Sequence, residues 1–424
     1  MHAEVERQPR EFELRAWHHG AIFLLACAVI ISRRPDAVLH AQFWAEDGHV
    51  FFADAYNFGW WHALFRTYAG YFHALPRLGA ALSLLAPLVF APLVLNLIAI
   101  CVEVLPISIL LSSRSSAWGS LTFRSILASA YIVLPNSFEM HAFITDSQWL
   151  LALAAFLLLV ASEPLNTGER VFDLVILLLC GLSGPFCIFL TPIALFLIRK
   201  QRSLWRWGTA GLLILTSLLQ TWALLGGGYS GRPHYALGAT PVLLIRILGG
   251  HVFLASILGA NGLAANPSPG VFISLLCAFA GGFLIVAFCW AKCPLPPRLF
   301  ALFSAAILAV SLASPAAYPP AGVTTWGLLA RAGGIRYWFF PTLAFVWLLL
   351  FGFRSGVEVL KTIVVVVMVT SCIGVVRDWR TPPLADLHWA ENARRAEGAL
   401  PGTVAIIPEN PDGWSLRLVK HSDR

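Results

Sequence analysis

Charge is what this sequence has least of. Only 12% of its 424 residues are Asp, Glu, Lys or Arg, while 58% are hydrophobic. A soluble domain carries about 25% charged residues, so a water-soluble globular protein is excluded. Alternating apolar segments of about ten residues, the mark of a transmembrane β-barrel, are also missing. The formal net charge is +7, but the cations are scattered over short loops and form no stripe. That pattern argues against nucleic-acid binding. No cysteine pair has zinc-ligand spacing. Cys27, Cys101, Cys180, Cys187, Cys277, Cys289, Cys293 and Cys372 all fall in or beside apolar runs. They read as small buried apolar residues and not as a disulfide framework.

Long apolar runs are what the chain has in abundance, with a mean hydropathy of +0.74. Separated by short polar breaks, they predict an all-α polytopic membrane protein. Candidate spans are 16–32, 91–112, 121–137, 148–162, 171–184, 185–198, 207–225, 270–290, 299–313, 337–353 and 357–376, about eleven helices in all. The start, MHAEVERQPREFELR, has mixed charge and lacks the basic opening of a cleaved signal, so the first run reads as a retained span. The expected divisions are an N-terminal tail over 1–15, a membrane domain over 16–376 and a small α+β tail over 377–424.

Cations set the expected orientation, because loops on the cytoplasmic side are enriched in Lys and Arg. Arg114, Arg124, the Arg199–Arg206 cluster, Lys292, Arg298, Arg354 and Lys361 all fall inside if 73–90 lies along the outer surface and 171–198 forms two short helices. The N-terminal tail is then cytoplasmic and the C-terminal tail outside. Arg33 and Arg34 conflict with this assignment. The outer segments are 33–90, about 138–147, about 226–269 and about 314–336, with the tail. They are long and aromatic, so function is expected on that face. In the tail, strands near 403–407 and 414–419 flank a Pro-Asp-Gly turn, and 385–397 suits a short helix.

WAEDGHVFFADAY, residues 44–56, places Glu46 and Asp47 among aromatic residues just beyond the first span. Aromatics at the density of 44–77 suit interfacial helices. Carboxylates near that boundary lose hydration and gain basicity. The pair therefore suits general-base work on a hydroxyl, or a divalent cation, magnesium or manganese. The plainer reading is Asp47 as the cap of a helix over 49–56.

A polytopic chain with an acidic pair in its first outer loop, followed by surface helices, resembles the GT-C superfamily of integral-membrane glycosyltransferases. Lipid A aminoarabinose transferases and protein O-mannosyltransferases belong to it. The likeness is one of layout over residues 16 to about 353. It is carried by WAEDG, YAGYFHALPRL, ITDSQW and GLSGPFCIFLTPIALFLIRK. The second loop departs from the pattern, having Asp146 but no acidic pair.

The resemblance implies an inverting transfer from a polyprenyl-phosphate-linked sugar to a glycan, lipid or protein acceptor, at the periplasmic face of a bacterial inner membrane. Asp47 or Glu46 would be the base, with Asp47 favoured. The leaving phosphate needs cations. Candidates are Arg331 and Arg336, beside Tyr337, in LLARAGGIRYWFFP, and Arg232 and His234 in GGGYSGRPHY, with Arg66 and Arg77 as further choices. Snorkelling to lipid headgroups is the alternative for these arginines. His73, His141, Asp146 and Gln148 are candidate sugar contacts, and Trp44, Trp61 and Trp149 candidate stacking faces. Glu103 lies within a span, where a carboxylate is expensive and reads as functional.

Two other classes remain open at this stage. A transporter or flippase would favour repeated halves and midplane charges. A polysaccharide polymerase or ligase would share the outer basic residues without requiring the acidic pair.

Overall fold

A computed structural model describes residues 14–228, 235–261, 271–331 and 334–421. Its main helices are α1 (Ala16–Arg33), α2 (Ala74–Ser83), α3 (Ala91–Leu111), α4 (Leu121–Ile132), α5 (Ser147–Val160), α6 (Thr167–Leu182) and α7 (Phe186–Lys200). They continue with α8 (Leu204–Ala223), α9 (Pro241–Leu258), α10 (Val271–Lys292), α11 (Leu295–Ala313), α12 (Ile335–Phe353), α13 (Glu358–Arg377) and α14 (Trp389–Glu397). Strands β1 (Val404–Glu409) and β2 (Trp414–Val419) close the fold. Among the described residues, α1, α3 and α8 to α13 are eight helices long and apolar enough to cross a membrane, and α4 and α5 are shorter apolar helices. The chain is a multi-pass helical membrane protein. Helices satisfy every backbone group internally, which is what a hydrocarbon solvent demands.

The bundle is built around α5, all of whose residues are buried, and α12, buried along most of its length. Trp118, Trp347, Phe156 and Phe300 interlock beside them. At one end of the bundle the basic junctions meet. Arg114, after α3, donates to both carboxylate oxygens of Asp173 on α6, at 2.9 and 2.5 Å. Its Nε reaches the Ser162 carbonyl beyond α5. Arg206 on α8 donates to the Ala161 carbonyl, and Arg354 beyond α12 lies 4.7 Å from the Phe123 ring on α4. Arg114, Arg206 and Arg354, three of the cations that the sequence assigns to one side, thus lie at one end.

Arg33 and Arg34, which contradict that assignment in sequence, lie at the opposite end. Each is only 1% exposed. Arg33 donates to the carbonyls of Ile132 and Leu134 at 2.8 and 3.0 Å, closing the C-terminus of α4. Arg34 donates to the His141 carbonyl and packs its guanidinium 3.6 Å from the Phe143 ring centre. Arg33 satisfies carbonyls at the end of α4 and Arg34 one in the second loop, so they are structural groups and not a surface charge signal.

Helix α9 falls within 226–269, which the sequence reading leaves as an outer segment without naming a helix. Its mean hydropathy is 1.9 over 18 residues. Yet both of its ends are tied to the end of the bundle that holds Arg33. Before it, the Ala236 and Leu237 carbonyls accept from the amides of Thr325 and Trp326, between α11 and α12. After it, the Ala260 amide donates to Asp378, just beyond α13. In sequence the apolar run of α9 is interrupted by Arg246, Gly249, Gly250 and His251. In the fold Gly249 admits the Leu275 carbonyl of α10, which a Cβ would overlap.

The C-terminal hairpin is antiparallel, from Val404↔Val419 to Glu409↔Trp414. Its turn uses Gly413 at φ 84°, where a side chain would be strained. Strand alternation turns Ile407, Leu416 and Leu418 inward onto Trp389 and Ala393 of α14 and onto Phe43, Phe52 and Tyr56 of the first loop. Polar contacts lock the same interface. The Ala45 amide donates to the Asn410 carbonyl at 2.5 Å, and Asn57 bonds the backbone of Arg417 and Val419, each at 2.8 Å. Gly48, the last residue of WAEDG, faces Glu409. A Cβ there would overlap the Glu409 carboxylate and lie 2.9 Å from Phe43. Gly48→Ala is therefore expected to destabilise the chain by about 1–3 kcal/mol, as overpacking does. Thermal unfolding in detergent, with limited proteolysis of 380–421, measures this; an unchanged melting temperature would show that the tail is not seated on Gly48.

Candidate functional site

A cavity of about 700 Å³ opens at the end of the bundle away from the basic junctions. The first loop supplies Trp44, Glu46, Tyr68 and His73 to its wall, the second loop Glu139, Thr145 and Asp146, and the first turn of α5 Gln148. Arg336 and Tyr337 enter from the start of α12. Phe186, Phe189, Ile307 and Val310 make an apolar side between α7 and α11, and Pro411 and Trp414 come from the tail. A wall with one greasy side and a few convergent polar groups is the usual form of a small-molecule site.

The acidic pair splits. Ala45 sits at φ 47°, an uncommon conformation for a residue with a side chain, and turns the chain sharply after Trp44. Trp44 is stacked on Phe143 of the second loop, with ring centres 4.7 Å apart. A π-helical turn, Asp47–Phe52, then begins. Successive side chains on a helix diverge by about 100°, so Glu46 and Asp47 take different directions. Glu46 lines the cavity, accepting from the Tyr68 hydroxyl at 3.3 Å and the Thr145 hydroxyl at 3.5 Å. Asp47 does not line it. That carboxylate is 1% exposed and accepts from the Thr145 amide at 2.9 Å. Burial, helped by the charge of Glu46, holds the Asp47 carboxyl well above the ordinary range, with the Thr145 amide and Arg34 opposing.

Asp146 precedes α5 and reaches the cavity with its side chain buried. Its Oδ2 makes no hydrogen bond among the described residues. Burial raises this carboxyl well above the usual range, and Glu139, Glu46 and Asp47 add to the rise while Arg336 resists it. Arg336 lies 3.5 Å from Glu139, whose carboxylate also accepts the Arg336 amide at 3.0 Å. The guanidinium donates to the Ala316 carbonyl at 3.2 Å. Tyr337 holds the same segment through the Ala316 amide, which donates to its hydroxyl at 2.9 Å. Gln148 donates to the Thr145 carbonyl at 3.2 Å. Three carboxyl groups thus face one guanidinium among the described residues of the wall.

Of the other expected site residues, His73 and Trp149 are on the wall. Arg331 is exposed and off it. Arg77 is buried against Asp54 at 3.0 Å, and Arg66 lies 3.4 Å from the same carboxylate. His141 is turned away, its Nδ1 2.6 Å from Glu103. That pairing gives the mid-span carboxylate its partner, outside the cavity. Trp61 is 54% exposed on the surface. Arg232 and His234 lie outside the described residues. Tyr68, Glu139, Thr145, Pro411 and Trp414 are wall residues that the sequence reading passed over. Only the density of aromatic residues in the first outer segment hinted at Tyr68; nothing local marks the other four.

Glu46 and Asp47, set in different directions, are not joined by a third ligand. Among the described residues no group of three or more His, Cys, Asp or Glu side chains is placed to hold a metal ion. Comparison with protein-family models, curated proteins and solved structures finds no match for this chain.

Behind the loop, Glu409 is 2% exposed, and burial together with the nearby charge of Asp47 pushes its carboxyl up to about 9. The ordinary value is 4.5. The folded chain therefore keeps a proton that the unfolded chain releases between these values. Its stabilising effect is full below about pH 4.5, declines as pH rises and is gone above about pH 9. Glu409→Gln is expected to flatten the fall in melting temperature between about pH 5 and 9. Parallel slopes for the two proteins in thermal unfolding would refute a protonated Glu409.

Proposed function

We propose that this chain is a membrane glycosyltransferase of GT-C type. It takes a sugar from a polyprenyl phosphate and transfers it to a hydroxyl of a glycan, lipid or protein acceptor. The observation that carries this reading is the cavity itself. Three carboxyl groups, Glu46, Glu139 and Asp146, and one guanidinium, Arg336, line a chamber that also has an apolar side, which suits a substrate that is sugar at one end and isoprenoid at the other.

In this scheme the acceptor oxygen attacks the anomeric carbon while its proton passes to Glu46. The bond from that carbon to the phosphate oxygen breaks, and its electron pair leaves with the polyprenyl phosphate. Arg336, oriented by Glu139, meets the charge that develops there. A single displacement inverts the anomeric configuration. Asp146, whose burial favours its protonated form, offers a hydrogen bond to a sugar or phosphate oxygen. Asp47 passes from base to support, because its carboxylate points out of the cavity.

The same reading assigns eleven crossings, α1, α3 to α8 and α10 to α13, with α9 returning to the side from which it starts. The basic end then faces the cytoplasm, and the cavity opens at the periplasmic side of a bacterial inner membrane.

Glu46→Gln is expected to cut transfer from a polyprenyl-phosphate sugar by about 10²–10⁴-fold, the usual contribution of a general base, with the melting temperature kept. Asp47→Asn should lower the melting temperature and reduce transfer less. Transfer at the wild-type rate in Glu46→Gln proteoliposomes would sink the assignment. Arg336→Ala should weaken binding of undecaprenyl phosphate by about tenfold, read as a loss of ligand-induced thermal shift; an undiminished shift would leave Arg336 without its role.

A further inference from the structure

The tail contributes to the cavity as well as to stability. Asn410 forms a parallel bridge with Trp44, so the hairpin turn lies beside the residues that lead into Glu46. Trp414 opens β2 and pairs with Glu409 across the last rung of the hairpin. Its half-buried side chain forms part of the wall that also holds Glu46, Asp146 and Arg336. The ring does not hang free. His49 meets it edge-on at 5.6 Å and 79°, and His49 Nδ1 is itself 2.6 Å from the Ser415 carbonyl. The result is an aromatic surface braced by His49 in a chamber that also holds carboxyl and hydroxyl groups.

We propose that Trp414 is a sugar-contacting residue, and that the C-terminal hairpin supplies the carbohydrate-recognition wall of the cavity. A sugar ring has an apolar C–H face and a polar rim. An indole held still by its neighbours packs against the first at small entropic cost, while Glu46 and Asp146 are at hand for the second. The lipid phosphate is met by Arg336 and the isoprenoid by the apolar side, so Trp414 is assigned to the part of the donor that neither of these reads. This inference rests on the proposed transfer from a lipid-linked sugar.

The test compares two probes on the full chain in nanodiscs: bare undecaprenyl phosphate, and a panel of its glucose, mannose, galactose and arabinose monoglycosides. Wild type is expected to bind its best glycoside more tightly than the bare lipid. Trp414→Ala should lose about tenfold in affinity for that glycoside while binding the bare lipid as before, and Trp414→Phe should recover most of the loss. An unchanged preference in Trp414→Ala overturns the proposal. So does an equal loss for both probes, which would make Trp414 a packing residue, and so does a wild type that prefers no glycoside. Wild type that binds no probe at all overturns the proposed function itself; bare-lipid binding without sugar preference spares that function's phosphate site and sinks only the role of Trp414.

Discussion

One buried hydrogen bond underlies the geometry of the cavity. The Thr145 amide donates to Asp47, joining residues 98 apart in sequence. It fastens the first loop to the second, and the Thr145 hydroxyl extends the same link to Glu46. A carboxylate stripped of water is costly unless its partners are fixed. The arrangement therefore tolerates little drift, and Arg34, which donates to the His141 carbonyl, ties the second loop back to the end of α1. Asp47 does stand in the first turn of a helix, as a capping residue would, but its oxygen is committed to the neighbouring loop. Neither Glu46 nor Asp47 makes a side-chain capping bond; one lines the cavity and the other links the two loops.

The sequence carried the membrane character and the tail hairpin plainly. Apolar runs and alternating strands are local signals, set by the solvent each element must face. It carried the acidic loop as a place but not as a geometry. Which of Glu46 and Asp47 faces a cavity depends on where a helix begins, and a π-turn after Ala45 is not written in residue type. Charge counting set Arg33 and Arg34 against the other cations because it treats every cation as exposed, while these two are buried against backbone carbonyls. Helix α9 was missed because Arg246, Gly249, Gly250 and His251 interrupt its apolar run, and Gly249 is there for the close approach of α10. The arginine candidates separated for a similar cause: Arg77 and Arg336 look alike as letters, yet Asp54 occupies one and the cavity the other.

Glu103 shows how a deep charge can be structural. His141 reaches it from the second loop at 2.6 Å, and Tyr131 donates to its carbonyl. Burial, with Arg33 close by, lowers the pKa of the imidazole. His141 Nε2 lies 2.9 Å from the Ser137 hydroxyl. The group thereby holds the second loop down onto α3, at the base of the segment that carries Glu139, Thr145 and Asp146.

The seating of β1 and β2 on the first loop also bears on biogenesis. Asn57 and Arg417 are 360 residues apart, and nearly the whole bundle lies between them. During synthesis the segment around Trp44 emerges long before its docking surface does. Every intervening helix must be threaded before the two can meet, so the chamber closes as a late step of assembly, and a half-made chain carries an open, unfinished pocket.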